Sequence, residues 1–272
     1  MVLQDRRQDG PTGSGSLPDL VARTVFIVVP AYDEEANIGG LLESIEPALA
    51  PLRISYRIVV VDDGSTDGTA TVLAAKRATI PQLEVVTHAP NQGLGSSIRD
   101  GLLRAASQAR PDDVVVSMDA DETHAPALIP AMLERIDAGS DVVVASRYLP
   151  GSRVVGLAKH REWLSVGASW LLRGAFPTPG LRDYTSGYRA YRAGALQRAI
   201  AIYGAGLFDQ HGFQCMVDIV LKMRRLPVGF AEVPLVLRYD LKKGASKMRV
   251  VPTVAATLRL LVRRRFEAGP RG

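Results

Sequence analysis

Asp119 and Asp121 stand one residue apart, at the end of the apolar run Val114–Met118. Two carboxylates at that spacing on a chain end can hold a divalent ion. Mg2+ or Mn2+ takes hard oxygen ligands and often binds through one or two carboxylates plus substrate phosphates. The chemistry on offer is neutralisation of a departing diphosphate. The same Asp-x-Asp pattern also occurs in solvated turns, because aspartate favours them, so neighbouring clusters must decide. Val61-Asp62-Asp63-Gly64-Ser65-Thr66-Asp67-Gly68-Thr69 closes a second apolar run. Its glycines permit positive φ, and its acids can accept bonds from a ribose or a base. The alternative is a turn N-capped by Thr66 or Asp67. Pro30-Ala31-Tyr32-Asp33-Glu34-Glu35-Ala36-Asn37-Ile38 closes a third run. Tyr32 offers a ring on which a nucleobase can stack, and Glu34 can accept a base N–H. The alternative is helix capping by Asp33, with acids placed on the helix dipole.

Other residues are less specific. Asn91–Ile98 (NQGLGSSI) resembles a dinucleotide fingerprint but lacks the third glycine and does not follow the first strand of a βαβ unit. It reads as a glycine-permitted turn against a nucleotide site. His124 reads either as a ligand or base, or as an ordinary loop residue. Trp163, Trp170 and Phe176 read either as lipid-facing or, since Trp is highly buried on average, as core.

The elements that must carry these motifs follow from periodicity. Short β-branched runs predict buried strands at Thr24–Pro30, Ile54–Val61, Leu83–Thr87, Val114–Met118 and Val142–Ala145. Helical spacing predicts helices at Asp33–Ala50, Asp67–Ala78, Gly95–Ala109 and Pro126–Asp137. This alternation implies an α/β fold, a mostly parallel central sheet with helices on both faces. The acidic motifs fall at strand carboxyl ends, where such sheets bind ligands. Beyond residue 146, helices are expected at Lys159–Arg173, Gly212–Arg225 and Pro252–Phe266, loop or strand at Arg182–Tyr191, and a strand at Val228–Tyr239.

The 272 residues suffice for one large domain or two small ones, and 47% apolar with 22% charged residues is ordinary for a globular chain. A single cysteine, Cys215, allows no intramolecular disulfide and makes a cysteine zinc site an unfavourable reading; it fits a reducing compartment. The formal charge is +5, with Lys242, Lys243, Lys247, Arg249, Arg259, Arg263, Arg264 and Arg265 grouped near the end. Such a cluster serves phosphates, anionic lipid or nucleic acid, or is a solvated tail. Nucleic acid is set aside because no aromatic-interleaved recognition module accompanies it. Residues 1–22 read as a disordered arm without the apolar core of a signal peptide. No apolar run reaches the ~18 residues of a spanning helix, so membrane contact is expected to be peripheral.

Taken together and in order, VVPAYDEEANI, VVDDGSTDGT, NQGLGSSIRDGL, MDAD and ASRY resemble family-two glycosyltransferases with the GT-A fold, over residues 24–148. RDYTSGYRAYR, HGFQCMVDIVLKMRRL, AEVPLVLRYD and GASKM are similar to the dolichyl- or polyprenyl-phosphate mannose synthase branch and extend the match to about residue 250. The resemblance implies a GT-A domain over 23–248, with a nucleotide-binding half (23–148) and an acceptor half (149–248), then a basic amphipathic C-terminal helix and tail (249–272). It implies transfer of mannose, or another hexose, from a GDP- or UDP-sugar to a lipid phosphate. Pro30, Tyr32 and Glu34 would hold the base, and Val61 and Asp63 the base and ribose. Asp119 and Asp121 would bind metal, Mg2+ or Mn2+, and Ala120 would lie against the nucleotide. Arg147 would meet the donor, Arg161 and Ser165 would face phosphate, and Arg238 and Lys247 would face donor and acceptor phosphates. The chain departs from the branch after the acidic pair, where Glu122-Thr123-His124-Ala125-Pro126 replaces a Leu-Gln-His-Pro-Pro-like run. Thr123 then stands where a polar metal or donor contact is expected. The stretch from Arg238 to Ser246 is also longer than usual, with Lys242 and Lys243 added.

The implied reaction is a single inverting displacement at the anomeric carbon. A lipid phosphate is already anionic near neutral pH and needs no strong base. A soluble hydroxyl acceptor, the second reading, requires one, and Asp183 is the candidate. A third reading is a non-catalytic nucleotide-sugar-binding subunit. Val250, Val254, Leu258, Leu261 and Val262 form one helical stripe beside Arg259 and Arg263–Arg265. That pattern fits peripheral attachment to the cytoplasmic face of a membrane, a separate membrane subunit, or a plain packed helix.

Overall fold

The computed structural model describes residues 23–156, 159–240 and 250–266, leaving aside the side chains of 159–165, 168 and 250–252. The arm at 1–22, the Lys242, Lys243, Lys247 and GASKM segment, Arg249 and the last six residues lie outside the described residues.

The strands are β1 (Thr24–Ala31), β2 (Ser55–Asp62), β3 (Leu83–Thr87), β4 (Val114–Ser117), β5 (Val142–Ser146), β6 (Arg153–Val155), β7 (Arg189–Arg192), β8 (Phe230–Pro234) and β9 (Val236–Arg238). The α-helices are α1 (Ile38–Leu49), α2 (Thr69–Thr79), α3 (Leu94–Gln108), α4 (Ile129–Asp137), α5 (Lys159–Ala175), α6 (Ala193–Tyr203), α7 (Cys215–Met223) and α8 (Val250–Phe266). Seven strands form one sheet in the order β3-β2-β1-β4-β7-β5-β8, and β6 pairs with β9 in a small second sheet. Within the large sheet only β7 runs antiparallel to its neighbours.

The β-branched runs form the sheet interior because both faces are covered. On one face, Ile38, Leu41, Leu42 and Ile45 of α1, Leu73 of α2 and Ile129, Met132 and Ile136 of α4 close over Val25, Ile27 and Val29. On the other, Ile98 and Leu102 of α3, Leu196 of α6, Ile219 and Val220 of α7 and Leu260 and Leu261 of α8 close over Val28, Val59 and Val144. The carboxyl ends of β1, β2, β3, β4 and β5 therefore open on one edge. The antiparallel β7 begins at that same edge, so the loop 183–188 leading into it joins them.

Several expectations are corrected. The strand read at Val228–Tyr239 is two strands in different sheets, separated at Leu235, whose N–H donates to Ser146 instead. Arg182–Tyr191, read as loop or strand, needs no correction: it is loop up to β7 at its end. The first helix begins at Ile38 rather than Asp33, because Asp33 takes a left-handed φ of 49° and its side chain serves the neighbouring loop. The strand β6 and the helix α6 were not anticipated.

Candidate active site

Two loops at the open edge are knitted to each other before any ligand arrives. Asp33 Oδ1 accepts from Thr66 N (2.7 Å), and Asp33 N donates to Ser65 Oγ (3.0 Å). Glu34 N donates to Thr69 Oγ1 (2.8 Å), Gly68 N to Glu35 Oε2 (3.0 Å), and Asn37 Nδ2 to Glu34 Oε2 (2.8 Å). The capping alternatives are corrected: the N-cap of α1 is Asn37 and that of α2 is Gly68, each without a side-chain cap bond; the loop bonds hold the backbone instead, while Tyr32 remains half-buried at the edge. The Asp33 carboxylate, followed by burial, pushes the Tyr32 phenol above its ordinary value, so it stays neutral. Pro30 and Val61 are register partners in β1 and β2 and are buried, forming the floor beneath this edge.

Asp63 is 3% exposed and acts as a clamp. Its Oδ1 meets His88 Nδ1 (2.7 Å) and accepts from Gln92 N (2.9 Å), while Oδ2 accepts from Gly93 N (2.8 Å). His88 Nε2 reaches Asp100 Oδ2 at 3.0 Å on α3. Asp63 therefore shapes the 88–93 turn, and this carboxylate holds the start of the Asn91–Ile98 motif against the open edge of the sheet.

The acidic pair is asymmetric. The Asp119 side chain is 47% exposed, whereas Asp121 is 7% exposed. Thr123 orients Asp121 by donating its hydroxyl (2.6 Å) and its N–H (3.2 Å) to Oδ1. The hydroxyl oxygen of Thr123 keeps lone pairs for a cation. Ala120 packs into the core, so only its backbone faces a ligand. His124 accepts the Asp119 N–H on Nδ1 (3.0 Å), which places any proton of a neutral ring on Nε2, and its ring stacks on Tyr188 with centroids 4.9 Å apart. It is 4% exposed and props the acidic loop; the ordinary reading of His124 is the one its surroundings favour.

Arg147 leaves the end of β5 and is gripped by Asp183. Nε and Nη2 donate to its two carboxylate oxygens at 2.8 Å each, the Arg147 N–H adds a third bond at 3.2 Å, and Nη2 also donates to Thr185 Oγ1. Asp183 is fully buried. Burial alone would raise its carboxyl, but Arg147 and the surrounding N–H donors outweigh burial and bring it down to about 2. A carboxylate held so firmly as an anion is a poor proton acceptor, which argues against Asp183 as a base. Its role is to fix Arg147. Burial pushes the Cys215 thiol up to about 12, so it offers no thiolate.

Arg238 N lies 3.4 Å from Thr123 O, which brings β9 to the acidic loop; its guanidinium pairs with Asp240 at 2.8 Å in partial exposure. Arg161 and Ser165 fall on α5 with side chains outside the described residues, as does all of Lys247. Among the described residues, no group of three or more His, Cys, Asp or Glu side chains could hold a metal ion. Two carboxylates and a hydroxyl fit Mg2+ or Mn2+ completed by phosphate oxygens and water, not a closed all-protein cage. The structure also reveals positioning residues that motif reading passed over. Glu232 accepts the N–H groups of Arg182 and Asp183, each at 2.7 Å. Arg189, fully buried, ties Tyr184 O (2.8 Å) to Met216 O (2.6 Å) beneath the site. His88 is the third; a single histidine in a loop carries no sequence signal for such a role.

Known proteins resemble this chain in sequence and in fold. The family profile described as Glycosyl transferase family 2 matches residues 26–200. Polyprenol monophosphomannose synthase of Mycolicibacterium smegmatis is 31% identical over 242 residues, covering 87% of this chain and 86% of that one. Dolichol-phosphate mannosyltransferase of Pyrococcus furiosus is 32% identical over 226 residues, 83% of this chain but only 59% of the relative's length. Among solved structures, glucosyl-3-phosphoglycerate synthase from Mycobacterium tuberculosis, in complex with Mn2+, uridine diphosphate and glucosyl-3-phosphoglycerate, superposes with a TM-score of 0.61 at 22% identity, over 90% of this chain and 79% of that one. That likeness is one of fold.

Proposed function

Since this chain belongs to glycosyl transferase family 2, we propose that it moves mannose from GDP-mannose to the phosphate of a polyprenyl or dolichyl lipid, with Mg2+ or Mn2+ at Asp119, Asp121 and Thr123. The chain is a glycosyltransferase with the GT-A fold. The acceptor is the finer claim. One observation carries it: Asp183, the carboxylate nominated as a base for a hydroxyl acceptor, is buried and locked onto Arg147. A phosphate acceptor needs no such base, and the relatives named for polyprenol and dolichol phosphates support it.

In this reading Tyr32 and Glu34 hold the nucleobase over the floor of Pro30 and Val61, and Asp63 keeps the 88–93 turn in place beside the ribose. A bound divalent ion supplies charge neutralisation for the diphosphate. Arg147, fixed by Asp183, faces the same diphosphate from the other side, as a pre-oriented cation where negative charge develops. An acceptor phosphate oxygen forms a bond to the anomeric carbon while the bond from that carbon to the diphosphate breaks, with inversion. Arg161, Ser165, Arg238 and Lys247 are assigned to the phosphates; the Arg238–Asp240 pair, being partly exposed, can exchange Asp240 for a phosphate at little cost. The test is a donor and acceptor screen: GDP-mannose, UDP-glucose and UDP-N-acetylglucosamine, each with Mn2+ and either a short polyprenyl phosphate or a panel of sugar and alcohol hydroxyl acceptors. Mannosylated lipid from GDP-mannose is the expected product. Turnover only with hydroxyl acceptors would overturn the acceptor, and nucleotide-sugar binding without turnover on any acceptor would overturn this assignment of substrates.

A further inference from the structure

We infer that the outward face of α8, together with Trp170 and Leu171 of α5, docks the protein onto an anionic lipid surface. Val254, Leu258, Val262 and Phe266 recur every four residues and are 48%, 46%, 62% and 85% exposed. Four-residue spacing puts them on one side of the helix. The helix cannot roll to hide them, because its opposite side is fixed. Leu260 and Leu261 lie in the core, and Arg264, 4% exposed, donates to Asp218 Oδ1 (2.6 Å) and Asp209 Oδ1 (3.0 Å). The stripe read from sequence is thereby corrected: Leu261 and Arg264 face inward, and Phe266 joins the outward row. The packed-helix and amphipathic-helix readings each describe one side of α8.

The polar groups around the stripe select the partner. Arg259, Arg263 and Arg265 are exposed, and the segment Val250–Phe266 contains no acid. Arg263 reaches Asp209 at 3.4 Å, and Arg265 donates to Ala175 O at 3.4 Å, which joins the end of α8 to the end of α5. On α5, Trp170 and Leu171 are 67% and 51% exposed, with Arg173 5.0 Å from the Trp170 ring centroid. Phe176, by contrast, is buried. Aliphatic and aromatic side chains interleaved with arginines suit the headgroup boundary of a bilayer, where the rings settle and the cations meet phosphates. The exposed charges that α8 itself carries are all positive, which suits an anionic surface in particular. Among the described residues no helix is long and apolar enough to cross a membrane. The docking surface deepens the lipid-phosphate reading by bringing the enzyme to where such an acceptor resides, yet it is testable without it.

The experiment is vesicle flotation of the full chain, with no donor and no polyprenyl phosphate present. Phosphatidylcholine vesicles are compared with vesicles that also contain phosphatidylglycerol, at low and high salt. Binding to the anionic vesicles, weakened by salt, is expected. The triple variant Leu258→Ser, Val262→Ser, Phe266→Ser should lose about tenfold or more of that binding. Its turnover on a water-soluble short-chain acceptor, and its thermal midpoint, should match wild type. Failure of wild type to bind anionic vesicles, or equal binding by the triple variant, overturns the docking surface. So does a concentration-dependent dimer in solution that the triple variant abolishes. Vesicle binding without mannosyl transfer would sink the acceptor reading and leave the docking surface standing.

Discussion

Replacing Asp183 by Asn separates the two roles that its position invites. The wild-type carboxylate is fully buried and paired through two 2.8 Å bonds with Arg147, whose side chain is 18% exposed. Its carboxyl is held at about 2, against an ordinary value of 3.8. The folded value is the depressed one, so the stabilisation is complete above the ordinary value and is lost as pH falls through about 2. The difference corresponds to about 2–3 kcal/mol at pH 7, near the lower end of what breaking a buried pair costs. About half should survive at pH 3 and about a sixth at pH 2. Urea unfolding of both proteins at pH 7, 3 and 2 gives the measurement. Asp183→Asn should be less stable by about 2–3 kcal/mol at pH 7, with the gap closing on acidification, and turnover should fall because Arg147 is no longer fixed. Equal stability at pH 7, or a gap that persists undiminished at pH 2, would refute the ion-pair reasoning. An inactive variant as stable as wild type would restore Asp183 as the base.

Asp63→Ala removes the acceptor for the N–H groups of Gln92 and Gly93 and for His88; a loss of about 2–4 kcal/mol in denaturant and a donor KM raised about tenfold or more are expected, with an unchanged KM contradicting the loop-clamp role. Arg264→Met leaves Asp218, 1% exposed, with Lys222 as its remaining cationic partner among the described residues; calorimetry should register a loss of about 3 kcal/mol, and hydrogen exchange should show α8 opening first.

Much of the nucleotide half was legible because its signals are local. Leu83–Thr87 is recovered to the residue, and Val114 and Val142 start their strands as the β-branched runs predict. The helix α6 escaped because it follows β7 directly, with Arg192 extended and no side chain capping the start. At three residues, β6 is too short for alternation to declare it. The acidic motifs were readable as a set at strand ends, yet their partners were not. Asp183 and Arg147 are 36 residues apart and His88 and Asp63 are 25 apart, and no periodicity encodes which loops meet across the sheet edge. The same limit explains α8: composition announced an amphipathic helix, but which arginine points inward was decided by Asp209 and Asp218 on distant elements.

The central claim is that Asp119 and Asp121 hold a divalent ion jointly with the donor's diphosphate, since the described residues supply no complete cage of their own. Calorimetric titration of GDP into the protein, with and without Mn2+, tests this directly. Wild type should bind GDP about tenfold or more tightly with Mn2+ present, about 1.4 kcal/mol or more, and Asp121→Ala should bind GDP equally with or without the ion while keeping its fold. An Asp121→Ala protein that retains the full Mn2+ dependence would contradict the account.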